Sequence, residues 1–191
     1  MARPKEFDRK QALDQAMELF WTRGYEATTM TDLRHAMGVG RQSLYDTFGD
    51  KDKLFREALD QYASLSNADV GQFLTEEDGL DGIRSFFRKR VSALASGTRR
   101  GCLIMNSCME LSPHDEVVAL RVRKCLRVLE KGFETALKGA QKKGKIATGS
   151  DVGKLSIFLT SQLAGMVVMA KNRASRQHLQ AIADTALQSI G

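Results

Sequence analysis

The sequence predicts an all-α chain of about nine helices, with an N-terminal helix–turn–helix unit of three helices over residues 1–50 and a C-terminal antiparallel helical domain over residues 51–191. Three observations carry that expectation. Apolar residues recur three and four positions apart along most of the chain, as one face of a helix requires. Few runs alternate in the manner of strands, and only two prolines interrupt the 191 residues. The length also suffices for a small three-helix unit beside a larger helical core.

Asp8 is placed to cap the first long helix, whose Ala12, Leu13, Ala16, Met17, Phe20 and Trp21 fall at helical spacing until Gly24 closes it. Trp21 is assigned to the core or its edge, and Tyr25 to packing beneath the turn that follows. Thr29 and Asp32 form a capping-box-like start for a short helix from Met30 to Met37, with Leu33, Ala36 and Met37 on its apolar side. Gly38 suits the left-handed position that ends a helix, Val39 plugs the turn, and Gly40 leaves the chain free to restart at a steep angle. The next helix, Arg41 to Phe48, has two faces. Leu44 and Phe48 point inward, while Arg41, Gln42, Ser43, Tyr45, Asp46 and Thr47 remain outside. That outer face combines a guanidinium, an amide, hydroxyls and a phenol, the groups that bond base edges and phosphate oxygens. Any one of them alone reads as an ordinary solvated side chain. Together, on a steeply set short helix, they read as contacts to double-stranded DNA. Lys51, at the mouth of the following helix, is placed to clamp a phosphate.

The run G-V-G-R-Q-S-L-Y-D-T-F-G-D-K-D-K-L-F, residues 38–55, closely resembles the recognition-helix signature of the TetR family of bacterial transcriptional regulators. The likeness begins at Arg3 and is specific through about Tyr62, with a weaker match in G-C-L-I-M-N-S-C-M-E-L-S-P, residues 101–113. It implies an all-helical homodimer, a repressor that binds a palindromic operator and releases it when a small-molecule effector binds the C-terminal domain, which also carries dimerisation. By matching positions, Arg41, Gln42, Ser43 and Tyr45 would touch DNA, and Thr28 and Lys51 would hold phosphates. One departure is Gly40, where the family often has a serine that caps the recognition helix.

Asp50 caps a helix whose Leu54, Phe55, Ala58, Leu59, Tyr62 and Leu65 share a stripe as it leaves the first unit, which makes it the natural lever between the two halves. Thr75 to Gly82 is acidic and contains glycine, as a loop does. An amphipathic helix with Ile83, Phe86, Phe87, Val91 and Leu94 follows, ended by Gly97, with Thr98, Arg99 and Arg100 in a connector. Gly101 to Leu111 is a short apolar helix rich in Cys and Met, stopped by Ser112 and Pro113. The longest helix, His114 to Lys143, turns Val118, Val122, Cys125, Leu129 and Phe133 inward. Gly144 and Gly149 bracket a turn before two last helices, Asp151 to Lys171 and Ser175 to Ile190. The first of these is apolar nearly all round. One chain of this size covers only one of its faces, so the remainder is expected to meet a second copy in a four-helix interface with Leu179, Ile182, Ala186 and Leu187. Such a dimer would set two recognition helices about 34–36 Å apart, in successive major grooves. The candidate lining of a ligand pocket is Phe86, Phe87, Met105, Cys108, Met109, Cys125, Leu129, Leu163 and Met166, the soft Met and Cys side chains being suited to adaptable pockets and equally to ordinary cores.

The net charge is +6, but residues 1–62 hold ten Lys and Arg against eleven Asp and Glu, whereas residues 84–145 hold fifteen against five. DNA binding therefore rests on the motif and not on bulk charge. In the N-terminal arm, Arg3, Lys5, Arg9 and Lys10 outnumber Glu6 and Asp8, which suits either a groove contact or a solubilising tail. No run approaches the length of a membrane span and no signal peptide is visible, so the cytoplasm is the expected location. Cys102 and Cys108 lie six apart, which on a continuous helix sets their thiols about 240° apart, poor geometry for one metal ion. Cys102, Cys108 and Cys125 read first as packing thiols, with a thiol- or copper-responsive regulator as the alternative. No cofactor is expected. His35, His114 and His178 sit in separate predicted helices, and no nucleophile elbow, phosphate loop or H-E-x-x-H motif appears, so catalysis is not expected. A DNA-binding protein that acts through a partner protein and takes no ligand is a further reading.

Overall fold

A computed structural model describes residues 7–98 and 100–190. The arm residues Arg3, Lys5 and Glu6, and the connector residue Arg99, lie outside the described residues. Among the described residues the chain forms nine helices: α1 (Arg9–Arg23), α2 (Met30–Met37), α3 (Arg41–Phe48), α4 (Lys51–Phe73), α5 (Gly79–Leu94), α6 (Leu103–Glu110), α7 (Glu116–Lys142), α8 (Val152–Lys171) and α9 (Arg176–Gln188).

The first four helices start where short polar side chains satisfy orphan backbone donors, α3 excepted. Asp8 Oδ1 accepts from Lys10 and Gln11 N–H, and Asp50 Oδ1 accepts from Lys53 N–H. At α2 the capping box is complete: Thr29 Oγ1 accepts from Asp32 N–H at 3.1 Å and Asp32 Oδ2 accepts from Thr29 N–H at 3.0 Å. Gly40 leaves α3 without a side-chain cap. The turn between α2 and α3 requires glycine at position 38, where φ is +64° and a side chain would strain the backbone.

Two apolar clusters fill the interior. One runs through Phe20, Leu33, Leu44, Phe48 and Phe55 and does not stop at the N-terminal helices, for Leu103, Ile104 and Leu111 around α6 and Val118 and Val122 of α7 belong to it. Phe20 and Tyr25 each meet Phe55 edge-on at 5.0 Å. The other joins the far end of α4 to α5, α7, α8 and α9, with Phe133 between Phe86 and Phe87. Here α7 comes so near the α4–α5 loop that a Cβ on Gly139 would lie 1.9 Å from the Glu76 carbonyl oxygen.

Several expectations need correction. Helix α5 begins at Gly79, inside the stretch expected as a loop, because Leu80 and Gly82 are buried against the second cluster. Leu65, expected on the apolar stripe of α4, is 58% exposed, since the helix has by then left the first cluster. Leu179 and Ala186, expected at a contact with a second copy, are fully spent on the chain's own core. Helix α8 is, by length and composition, long and apolar enough to cross a membrane, contrary to the expectation that no run approached that. Leu159, Leu163, Met166 and Val167 instead turn into the chain, and α8 packs against α7, α9 and α5. Its opposite face leaves Ile157, Val168 and Met169 exposed.

Two outcomes follow from these contacts. The hydroxyl of Thr29 holds the Asp32 carboxyl below its ordinary value of 3.8, the N–H of Lys53 does the same for Asp50, and the N–H of Val118 for Asp115. A carboxyl whose folded pKa is depressed stabilises the fold fully above the ordinary value and loses that effect as pH falls through the lower folded value. The thermal midpoint should therefore hold from neutral pH down to about 5 and drop below 3.8; a midpoint that rises on acidification contradicts the capping. Gly139→Ala should lower the stability measured by denaturant titration by about 1–3 kcal/mol, the usual cost of overpacking, with an unchanged result contradicting the close approach.

Candidate nucleic-acid interface and internal cavity

Leu44 and Phe48 are buried against the first cluster, so α3 is anchored from one side and presents the other. Arg41 and Gln42 are exposed, Tyr45 is 42% exposed, and Ser43 is half-buried at the rim. The Arg41 guanidinium lies 6.0 Å from the centre of the Tyr45 ring, and Gln42 Nε2 donates to Asp46 Oδ1 at 2.8 Å. These local contacts hold the polar groups on one outward face. Lys51, in the first turn of α4, rests its ammonium 4.0 Å from the centre of the Tyr25 ring. Tyr25 in turn donates to Asp52, and burial, then that carboxylate, push its phenol well above the ordinary range. Tyr25 is thus a neutral, fixed platform against which the Lys51 ammonium rests.

Thr28 departs from its expected role. It is fully buried, and its hydroxyl donates to the Gly24 carbonyl at 2.6 Å, which closes the turn after α1. Its side chain does not face outward, and a phosphate cannot reach it.

Between α4, α5, α6, α7 and α8 lies a cavity of about 250 Å³. Five of the expected lining residues are there: Phe86, Met105, Cys125, Leu129 and Leu163. Phe87, Cys108, Met109 and Met166 are not. Adjacent residues on a helix point about 100° apart, so Phe87 turns away from the Phe86 side and stacks on Phe133 at 5.9 Å. Met166 is buried in the second cluster, Cys108 packs on the first, and Met109 is 56% exposed.

The polar side of the cavity was missed. Helix α4 contributes Tyr62, Ser66 and Asn67, and α5 contributes Arg90 one turn after Phe86. Both follow four-residue spacing along faces otherwise apolar, which marks the face in the sequence without showing what lies across from it. Burial raises the Tyr62 phenol well above its ordinary range, and the neighbouring Cys102 thiol adds to the effect. Burial likewise raises the Cys125 thiol, with Cys102 nearby. Among the described residues no group of three His, Cys, Asp or Glu side chains is placed to hold a metal ion.

Trp21, expected in the core or at its edge, packs at the edge of the first cluster and also forms part of the cavity wall, which it joins to the N-terminal helices. Its indole N–H donates to the Gly101 carbonyl at 3.2 Å, its ring meets Tyr62 at 4.9 Å, and the Arg100 guanidinium lies over it at 4.7 Å. Helix α6 makes a second connection. Ile104 and Met105 line the cavity, while Glu110 at its far end accepts from the N–H groups of Tyr25 at 3.2 Å and Glu26 at 2.9 Å. These two amides belong to the loop that leads into α2. Further ion pairs cross between Arg56 and Asp115 at 3.2 Å and between Arg121 and Asp60 at 2.9 Å.

A family model described as "Bacterial regulatory proteins, tetR family" matches residues 12–58, and one described as "Tetracyclin repressor-like, C-terminal domain" matches residues 79–186. The chain is 36% identical over 189 residues to the HTH-type transcriptional repressor ComR of Escherichia coli K12, covering 97% of this chain and 90% of that one. It is 35% identical over 193 residues to the HTH-type transcriptional regulator YezE of Bacillus subtilis, across the whole of both. Among solved structures it is similar to a cysteine mutant of the TetR family regulator CifR complexed with a 26 bp operator duplex, at 29% identity, full coverage of both chains and a TM-score of 0.84. These matches cover both the helix–turn–helix with its polar outer face and the helices that enclose the cavity, and the chain belongs to the TetR family of DNA-binding bacterial transcriptional regulators.

Proposed function

We propose that the chain is a cytoplasmic, non-catalytic repressor that binds a palindromic operator as a homodimer and releases it when a small molecule occupies the cavity. The observation that carries this reading is the position of α6. One of its ends forms cavity wall and the other, through Glu110, holds the loop that enters α2. A ligand that displaces α6 shifts the helix–turn–helix with it, and a ligand can favour the released state only by binding it more tightly than the DNA-bound one. In this reading residues 1–50 read DNA and residues 51–191 bind ligand and dimerise.

Arg41, Gln42, Ser43 and Tyr45 enter the major groove, and Lys51 neutralises a phosphate. The exposed stripe of Ile157, Gly165 and Val168 on α8 seats the second copy, with nothing crowding Gly165 to keep a partner helix away. A second reading, a thiol- or copper-responsive regulator, is favoured by one observation: Cys102 and Cys125 both line the cavity. Cys108 does not take part in that arrangement.

Tyr45→Ala and Lys51→Ala should each weaken operator binding in a gel-shift or anisotropy titration, by about tenfold for a lost direct contact, while size-exclusion profile and helical signal stay unchanged. Lys51→Ala should also reduce the steepness of the salt dependence by about one unit. Unchanged operator affinity in both variants would remove α3 and the start of α4 from the interface.

A further inference from the structure

We propose that the effector is an organic anion: an apolar body carrying a carboxylate or a comparable acceptor head that Arg90 receives. The inference rests on the reading of the cavity as the effector site and names the chemistry that site selects.

Among the described residues the cavity lining holds two cations, Arg90 and Arg100, and no Asp, Glu or Lys. Arg100 is already engaged, by the Glu18 carboxylate and by the face of Trp21. Arg90 is less completely matched. Its Nη2 meets Asp69 Oδ2 at 3.0 Å, but the same carboxylate also meets Lys89 Nζ at 2.7 Å, so one negative charge serves two positive ones. Among the described residues the Arg90 Nε has no hydrogen-bond partner, but it is fully buried, so the guanidinium's other nitrogens are the ones a cavity ligand meets. Among the described residues the other nitrogen in this condition is Arg56 Nε, and Arg56 is not part of the cavity lining.

A guanidinium in a cavity wall whose one carboxylate partner is shared with a lysine gains most from a further acceptor that is itself charged. Ser66 and Asn67 add hydrogen-bonding capacity to the cavity wall on α4. Beyond these and Tyr62, Ser96, Thr98 and Arg100 the wall is largely apolar. Phe86, whose ring lies under the Arg90 guanidinium at 4.7 Å, together with Leu94, Leu129 and Leu163, offers the remainder of the molecule an apolar surface. The volume of about 250 Å³ admits a body the size of a substituted ring or a short alkyl chain. Among the described lining residues a cation in the same place would meet two guanidinium groups and no carboxylate, and a neutral apolar molecule would offer the Arg90 guanidinium no acceptor.

The test uses the full chain, free of DNA, and three probes of matched shape: 3-phenylpropionate, 3-phenylpropanol and 3-phenylpropylamine, each titrated by calorimetry at neutral pH. The propionate should bind about tenfold or more tightly than the alcohol, with the amine weakest, and Arg90→Gln should bring the propionate and the alcohol to equal affinity. The ranking in the unaltered protein stands without the variant, so a variant that fails to fold does not spare the inference. If the alcohol or the amine binds as tightly as the propionate, the anion preference is wrong and the cavity remains an effector site. If none of the three binds, and a series of alkanoates and alkanols of six to ten carbons also fails to bind, the cavity is not an effector site and both readings fall.

Discussion

The reading head of this protein does not own its core. Leu44 and Phe48 fix α3 to a cluster that contains Phe20 and Phe55, but that cluster is completed by Leu103, Ile104 and Leu111 around α6 and by Val118 and Val122 from α7. A unit of three short helices buries too little apolar surface to be firm alone, and here the deficit is made up by the other half of the chain. The angle at which α3 stands on the rest of the chain is therefore set partly by residues more than fifty positions further along.

This shared core explains why α6 matters beyond its eight residues. It lies between the first cluster and the cavity, with buried Leu103 and Ile104 in the cluster and Ile104 and Met105 at the cavity wall. Glu110 adds direction, since a carboxylate held by two backbone amides fixes the loop after α1 in position as well as in distance. Trp21 and Gly101 connect at the opposite end of α6. Movement of α6 cannot be absorbed locally, because packed cores have discrete arrangements and do not deform smoothly. Coupling of this kind needs no contact between ligand and DNA.

What the sequence made legible was chemistry that acts within one turn of helix. The limits of α2 and α3, the capping box of Thr29 with Asp32, the cap at Asp50 and the left-handed Gly38 depend on neighbours a few residues away, and each is found as expected. Residues whose state depends on distant partners were read less well. Thr28 sits at a position associated with phosphate contacts, yet its hydroxyl closes the turn at Gly24 and tertiary packing buries it. Leu179 and Ala186 looked like interface residues because the period shows that they face inward, without showing which core they face. The cavity shows the same limit. Apolar Phe86, Leu129 and Leu163 were found by period, whereas Arg90 was not and Tyr62 was placed on its stripe without a link to the pocket, because a polar residue on an apolar face makes sense only once the helices across from it are known.

The central claim, that α3 is held through α6, is tested most directly by native-state hydrogen exchange on the full chain carrying Leu103→Ala. If the core is shared, amides of α1, α2 and α3 lose protection together with those of α6, while those of α5, α8 and α9 in the other cluster keep theirs. Loss of protection confined to α6, with α1 to α3 unchanged, would show that the reading head stands on its own packing and would contradict the account.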